Sequence, residues 1–225
     1  MDAADLTVIV PTLNEEKNIG RLITAIHDIL PQTQILVVDD GSTDDTQSIV
    51  SSSDAAQLLD RSDEEIKGLS ASIKDGIATT KTKFFMVIDG DFQHPPDSLL
   101  EAITCFQRGA DLVVGYRIKV ENWPFTRKLM SWGAQNLAYV SLLIRRRQRP
   151  RDIMSGYFGG NTGEINELLG SSKVSLKGYK ILFDLLKILP NNYDICQFGY
   201  IFKNREFGTS KIGKTQIWEF IKSLV

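Results

Sequence analysis

The stretch FFMVIDGDFQHPPD, residues 84–97, decides the fold. Phe84 to Ile88 is an unbroken apolar run, the pattern of a strand covered on both faces, as in a parallel sheet. The run stops at Asp89-Gly90-Asp91. Pro95-Pro96 then fixes the chain and opens a helix expected over Pro96 to Phe106. The same grammar recurs on either side. Leu6 to Val10 is a short β-branched run closed by Pro11. From Asn14 to Leu30, apolar residues at Ile19, Leu22, Ile23, Ile26 and Ile29/Leu30 keep helical spacing. Ile35 to Val38 is a second strand. A helix is expected from Asp45 to Val50, with Thr43 or Asp44 as its cap. Gln57 to Leu59 is a weak strand, Leu69 to Thr79 a helix, and Leu112 to Val114 a further strand. This alternation predicts an α/β fold: a Rossmann-like, mainly parallel sheet flanked by helices.

In such sheets ligands bind beyond the carboxyl ends of the strands. Three polar segments lie there, Pro11 to Glu15, Asp39 to Asp44 and Asp89 to Gln93, so all three are expected to face one crevice. The second half is less regular. Asn122 to Pro150 is aromatic and basic, and its apolar run Leu137 to Ile144 is followed by Arg145, Arg146, Arg147, Arg149 and Arg151. Apolar followed by basic suits an anionic membrane surface, or else a core helix ending in a solvated loop. Ser171 to Leu189 reads as helical, Ile195 to Lys203 as a strand, and Ile212 to Leu224 as a last amphipathic helix.

Composition sets outer limits. The chain has 225 residues, 42% of them hydrophobic and 24% charged, with a formal net charge of -2. That suits one domain with a sizeable core and argues against a nucleic-acid partner, which calls for a basic excess. Cys105 and Cys196 form no CxxC pair and no disulfide framework. They read as two unrelated core thiols in a reducing interior. No signal peptide is apparent, and no apolar run reaches the roughly 18 residues of a membrane span. The chain reads as soluble or peripheral, or as the catalytic piece of a longer membrane protein.

The chemistry gathers at strand ends. Asp89, Asp91 and Gln93, two apart in an extended chain, would turn three oxygen donors to one side, as Mg2+ or Mn2+ requires. Gly90 leaves room for a phosphate or a neighbouring backbone. Asp39 or Asp40 can accept hydrogen bonds from a base or ribose, and Glu15 is a further ligand contact. Arg117 follows a strand, Arg127 and Ser131 share one helix face, and Arg205 and Lys211 flank Gly208; such groups bind phosphate. The only histidines, His27 and His94, read as neither metal ligands nor members of a catalytic triad. No P-loop and no G-x-G-x-x-G follows the first strand, which argues against an ATPase and a dinucleotide oxidoreductase.

Taken together these segments resemble a known family. VIVPTLNE (8–15), VVDDGSTD (37–44) and DGDFQHPPD (89–97) are similar to family 2 glycosyltransferases of GT-A fold and, more narrowly, to dolichol-phosphate mannose synthases. KGL (67–69), VGYR (114–117), NWPF (122–125), Arg127 to Ser131, Ser155 to Phe158, GYKIL (178–182), Arg205 and Ser210-Lys211 continue the match in order. Leu13 departs from it, standing where the family usually has Tyr. The resemblance implies a nucleotide-sugar-binding half, 1–117, and an acceptor-binding half, 118–225, the latter with helices at a membrane interface. It implies a metal site of Asp89, Asp91 and Gln93, and nucleotide-sugar contacts at Pro11, Leu13, Glu15, Val38, Asp40, Lys67, Asp89 and Lys211. It assigns the acceptor phosphate to Arg117, Arg127 and Ser131, and catalysis to Asp91, Arg117 and Arg205.

The implied reaction moves a hexose, mannose from GDP-mannose or glucose from UDP-glucose, onto dolichyl or polyprenyl phosphate. The setting is the cytoplasmic face of a membrane, with a small membrane-anchoring subunit as a further partner. A phosphate monoester has a second pKa of about 6 and is largely ionised near neutrality, so it needs no general base. Two rivals stand beside this reading. One is transfer to a sugar hydroxyl with Asp152 as base; the other is an inactive nucleotide-sugar-binding subunit.

Overall fold

The computed structural model describes residues 2–121, 125–171, 180–205, 207 and 224. Seven strands form one sheet: β1 (Leu6–Thr12), β2 (Gln34–Asp39), β3 (Gln57–Asp60), β4 (Phe84–Val87), β5 (Leu112–Val120), β6 (Phe158–Asn161) and β7 (Ile195–Phe202), in the order β3-β2-β1-β4-β6-β5-β7. Around it lie α1 (Ile19–Ile29), α2 (Thr46–Ser51), α3 (Leu69–Thr79), α4 (Leu99–Gln107), α5 (Phe125–Ile144), α6 (Thr162–Ser171) and α7 (Ile181–Ile188). The mainly parallel sheet is borne out: β3, β2, β1 and β4 are parallel, as are β5 and β7.

Side chains alternate across the sheet and divide the core in two. Leu6, Val8, Val10, Ile35, Val37, Phe84 and Met86 pack against α1 and α4 on one face. Ile9, Leu36, Val38, Phe85 and Val87 pack against α3, α6 and α7 on the other. Both faces of β1, β2 and β4 are therefore dry, which is why these strands read as continuous apolar runs.

β6 is antiparallel to both β4 and β5, and sequence reading passed over it. Its Gly159-Gly160 lacks the side chains that signal a strand. The glycine is needed because a Cβ at Gly159 would collide with the Phe85 carbonyl and the Met86 sulfur. Two boundaries also differ. α1 begins at Ile19 rather than Asn14, because residue 14 takes a left-handed conformation (φ 53°) and ties the loop to its neighbour. Of the helix expected over Ser171 to Leu189, α7 covers Ile181–Ile188 and residues 172–179 lie outside the described set. The helix expected over Ile212 to Leu224 lies outside it too, apart from Leu224.

The two cysteines are not unrelated thiols. Cys105 on α4 and Cys196 on β7 form a disulfide with a Cα–Cα distance of 5.7 Å. Their separation of 91 residues hides the pairing in the sequence. The topology creates it by laying α4 across the edge strand β7, and the argument for a reducing interior goes with it.

Candidate active site

The three polar segments converge as expected, because β1, β2 and β4 are parallel neighbours ending at one edge. Thr12 Oγ1 donates to Asp39 Oδ2 (3.0 Å). The N–H of Asn14 donates to Ser42 Oγ (2.7 Å), and its side-chain oxygen accepts from the N–H of Thr43 (2.8 Å). Asp44, not Thr43, serves the start of α2, accepting from the Thr46 N–H (3.0 Å). Its carboxyl is held below the usual range: burial opposes this, and the bonds from Thr46 outweigh it.

The structure separates Asp39 from Asp40. Asp39 is fully buried, and its Oδ1 accepts from the N–H groups of Gly41 and Ser42 and from Gln47. It shapes the loop. Asp40 stands at the crevice edge, accepting from the Gly68 N–H (2.6 Å) and from Arg61. Arg61 was not singled out in the sequence, where it is one basic residue after a weak strand. It is 3% exposed and also binds Asp75 (2.7 Å), Ser72 (3.0 Å) and the Ile66 carbonyl (2.7 Å). It thereby locks the loop that carries Lys67. Lys67 Nζ donates to the carbonyls of Arg61 and Ser62 and lies near Gly41, whose φ of 90° favours glycine. Pro11 and Val38 are buried, paired in register between β1 and β2, and Val38 belongs to the core. Leu13 is partly exposed.

Asp89, Asp91 and Gln93 do not lie on the extended chain from which their common facing was expected. The chain is not extended there: Phe92 has φ 59°, and Asp91 Oδ1 accepts the Gln93 N–H (3.0 Å) in a tight turn. Gln93 is stitched to the end of β7. Its amide nitrogen donates to the Lys203 carbonyl (3.2 Å), and the Lys203 N–H donates to its own carbonyl (3.1 Å). Gly90 lets this turn touch the first loop, since a Cβ there would lie 3.3 Å from Thr12 and 3.6 Å from Glu15. Glu15 is buried, with its carboxylate on Asn18 (2.8 Å).

Burial pushes the carboxyl of Asp89 up, and nearby Glu15 adds to this against the pull of Lys180 and Arg205. Burial also raises Asp91, with repulsion from Asp89 next. Asp89 is thus raised by Glu15 and Asp91 by Asp89, and a run of carboxylates crowded in this way suits a hard divalent cation, which relieves the repulsion. No cluster of three or more His, Cys, Asp or Glu side chains exists among the described residues. A cation here would therefore take its remaining ligands from phosphate and water.

His94 is 1% exposed, caged by Tyr157, Tyr200 and Phe202 at ring distances of 5.0–5.6 Å. Burial lowers its pKa to about 4. It is neutral at physiological pH, and its Nδ1 accepts the Asp89 N–H (3.1 Å). Its contact with the Asp89 carboxylate at 3.5 Å is thus no ion pair. It supports the acidic turn, in keeping with the reading that it is not a ligand.

The basic residues gather on the opposite side. A register shift between Arg117 and Lys119 interrupts the β5–β7 pairing and re-aims Arg117. The guanidinium grips Asp152 bidentately, Nε to Oδ2 at 2.6 Å and Nη2 to Oδ1 at 3.0 Å. Burial would lower the Arg117 pKa, and Asp152 reverses this and raises it. Arg205 Nη2 meets Asp91 Oδ2 at 2.6 Å. Burial lowers the Arg127 pKa, and Arg205 and Arg117 lower it further, so the three guanidiniums share one neighbourhood. Ser131 lines a cavity of about 410 Å3 with Tyr116, Arg117, Lys128, Trp132 and Asp152. Arg151, also at this cavity, donates to the Tyr116 hydroxyl (3.0 Å). Lys211 lies outside the described residues. Lys180 was quoted in the sequence without a role. Burial, then Arg117, lower its pKa to about 8, against Asp152 and Asp89.

The sequence profile of the family "Glycosyl transferase family 2" matches residues 7–168. The dolichol-phosphate mannosyltransferase of Pyrococcus furiosus is 31% identical over 97% of this chain, which spans 62% of that protein's length. The polyprenol monophosphomannose synthase of Mycolicibacterium smegmatis is 30% identical, with 94% of this chain and 82% of that one covered. The dolichol-phosphate mannosyltransferase of Saccharomyces cerevisiae is 27% identical, with 98% and 85% covered. Among solved structures, glucosyl-3-phosphoglycerate synthase from Mycobacterium tuberculosis superposes with a TM-score of 0.71 at 21% identity, covering 99% of this chain and 81% of that one. The same enzyme in complex with Mn2+, UDP and glucosyl-3-phosphoglycerate superposes at 0.66, covering 99% and 79%. That likeness shows the fold, GT-A. An acidic turn at the end of a parallel strand, faced by arginines, is thus built on a known scaffold, and the chain belongs to glycosyl transferase family 2: it is a glycosyltransferase.

Proposed function

We propose that the protein transfers mannose from GDP-mannose to the phosphate of dolichol or another polyprenol, inverting the anomeric carbon. One observation carries this reading above the rest: the acidic donor turn faces arginines, not a base. Asp152, the one candidate base, has both carboxylate oxygens engaged by Arg117, and Oδ1 also accepts the Met154 N–H, so the geometry gives it a structural task rather than an open position beside an acceptor hydroxyl. That counts against transfer to a sugar hydroxyl. The names of the similar mannosyltransferases support the same substrates.

The acceptor phosphate is already ionised near neutrality. Its oxygen attacks the anomeric carbon from the face opposite the leaving group. The bond from that carbon to the diphosphate oxygen breaks, and its electron pair leaves on the nucleoside diphosphate. No proton need move. Arg117, Arg127 and Ser131 hold the acceptor, and Arg205 with Lys211 meets the diphosphate, so that two anions are brought together. Pro11, Leu13, Glu15, Val38, Asp40 and Lys67 form the nucleoside end. Asp89, Asp91 and Gln93 are the residues to hold Mg2+ or Mn2+, which when bound neutralises part of the diphosphate charge.

The acceptor implies a lipid surface. Leu129, Leu137, Val140, Leu143 and Ile144 on α5 are 53–76% exposed. Arg145, Arg146 and Arg149 follow, also exposed, an arrangement suited to anionic headgroups. Among the described residues no helix is long and apolar enough to cross a membrane. We place the protein peripherally on the cytoplasmic face, with a small membrane subunit as an additional anchor.

The test is to incubate the protein with GDP-mannose or UDP-glucose, Mn2+ and a short polyprenyl phosphate, with and without EDTA. Metal-dependent transfer of mannose to the lipid, with inversion, is expected. Transfer of glucose only would correct the donor. Transfer only to sugars, retention of configuration, or binding without turnover would each overturn the reading.

A further inference from the structure

Resting on the reading above, we propose that Lys180 and the segment it holds, Asp152 to Tyr157, form the binding subsite for the transferred hexose, with the Lys180 ammonium donating to one of its hydroxyls. The donor diphosphate belongs at Asp89 and Asp91, and the acceptor phosphate at Arg117 and Arg127. The hexose must lie between these two ends. Lys180, at the start of α7, reaches the segment that joins these ends: its Nζ bonds Met154, which lies between Asp152, held on Arg117, and Gly156, packed on Asp89.

Its surroundings are built rather than incidental. Lys180 Nζ donates to the Met154 carbonyl (2.7 Å). Met154 belongs to the segment that begins at Asp152, which grips Arg117, and ends at Tyr157, whose hydroxyl donates to the Pro95 carbonyl (3.2 Å). Within it, Gly156 lies against Asp89: a Cβ there would be 3.3 and 3.4 Å from the two carboxylate oxygens. The segment is thus a wall packed directly on the donor turn. Lys180 fixes its middle, as Arg117 and Pro95 fix its ends. An ammonium carries three N–H donors, enough to hold a carbonyl and a ligand hydroxyl together.

Charge decides what kind of contact this is. The anomeric carbon gains positive charge as its bond to the leaving group stretches, and a lysine beside it would oppose that. Lys180 therefore serves a hydroxyl away from the reacting bond. It contributes to donor affinity more than to turnover.

The experiment compares affinities of GDP and GDP-mannose, with Mn2+ present, for the wild type and Lys180→Met. GDP affinity is expected to be unchanged, and it reports folding. GDP-mannose affinity is expected to fall about tenfold, the loss of one hydrogen bond from a charged donor, with KM raised more than kcat is lowered. Lys180→Arg is expected to retain most of the affinity. Equal loss for both ligands, in a folded variant, would make Lys180 a diphosphate contact and overturn the proposal; so would unchanged affinity for both. Should Lys180→Met fail to fold, Lys180→Gln is measured by the same comparison and the same outcomes decide. A wild type that binds no nucleotide sugar would instead sink the function proposed above, so the two failures are distinguishable.

Discussion

Substituting Asp152 by asparagine separates a positioning role from a catalytic one. The wild-type carboxylate accepts two parallel bonds from Arg117 at 2.6 and 3.0 Å, with side-chain exposures of 7% for Asp152 and 16% for Arg117. Asparagine keeps the shape and one acceptor oxygen, so one bond is lost and the other runs from the guanidinium to a neutral acceptor. Hydrogen bonds to charged groups contribute about 1.5–3 kcal/mol each, which sets the expected destabilisation. For a chain of 225 residues, at 2–4 °C per kcal/mol, this is a fall in Tm of roughly 3–12 °C. The activity should fall by no more than about a hundredfold through misplacement of Arg117. The decisive readout is the acid limb of kcat/KM against pH. That limb belongs to the acceptor phosphate, near pH 6, and should persist in Asp152→Asn. Thermal melts and a pH series with polyprenyl phosphate test both halves. An unchanged Tm together with loss of the acid limb would refute the reasoning, because Asp152 would then be the base.

Asp91→Ala is expected to abolish turnover and metal-dependent binding of nucleotide, while the variant still folds; full activity, measured as lipid-linked mannose, would remove Asp91 from the metal site. Burial raises Asp89 and Asp91 above 3.8, so protonation favours the folded state. That contribution is present below the unfolded value and lost as pH rises through the folded one. The rise in Tm on adding Mn2+ should accordingly be large near neutrality and shrink in acid; a pH-independent rise would contradict it. Reducing the Cys105–Cys196 disulfide should cost about 2–4 kcal/mol, read as a lower Tm, and unreduced protein should show no thiol to a maleimide; a freely reacting thiol would refute the pairing. Leu143→Asp with Ile144→Asp should weaken sedimentation with anionic vesicles while leaving GDP binding intact; equal sedimentation would take α5 away from the lipid.

The half of the fold that was legible is the half whose strands are dry on both faces. Phe84 to Ile88 could be read because every residue in it is buried, so hydrophobicity and structure coincide. β6 could not, because its glycines exist to let Phe85 and Met86 come close, and an absent side chain leaves no pattern. The acidic turn was legible as residues but not as geometry: spacing suggested an extended chain, whereas Phe92 turns it at φ 59°. Arg61 and Lys180 were invisible for a common reason. Each matters through partners far off in sequence, Asp75 and Ser72 for one, Met154 for the other. The disulfide failed the same way, over 91 residues.

A net charge of -2 was read as ordinary, and the site shows what that figure conceals. Acidic groups collect at Glu15, Asp89 and Asp91, and guanidiniums at Arg117, Arg127 and Arg205, with the Arg205–Asp91 pair as the seam between them. Within each cluster like charges work against one another's ionisation, as Glu15 does on Asp89, Asp89 on Asp91, and Arg205 and Arg117 on Arg127. Set face to face, each lowers the cost of the other. The arrangement also matches the reaction proposed, in which an anionic leaving group and an anionic nucleophile must approach within bonding distance of one carbon. A protein that gathered only positive charge would bind both anions tightly and release neither. One that segregates the two signs can hold a cation for the donor at one end and arginines for the acceptor at the other, and its overall charge stays near zero.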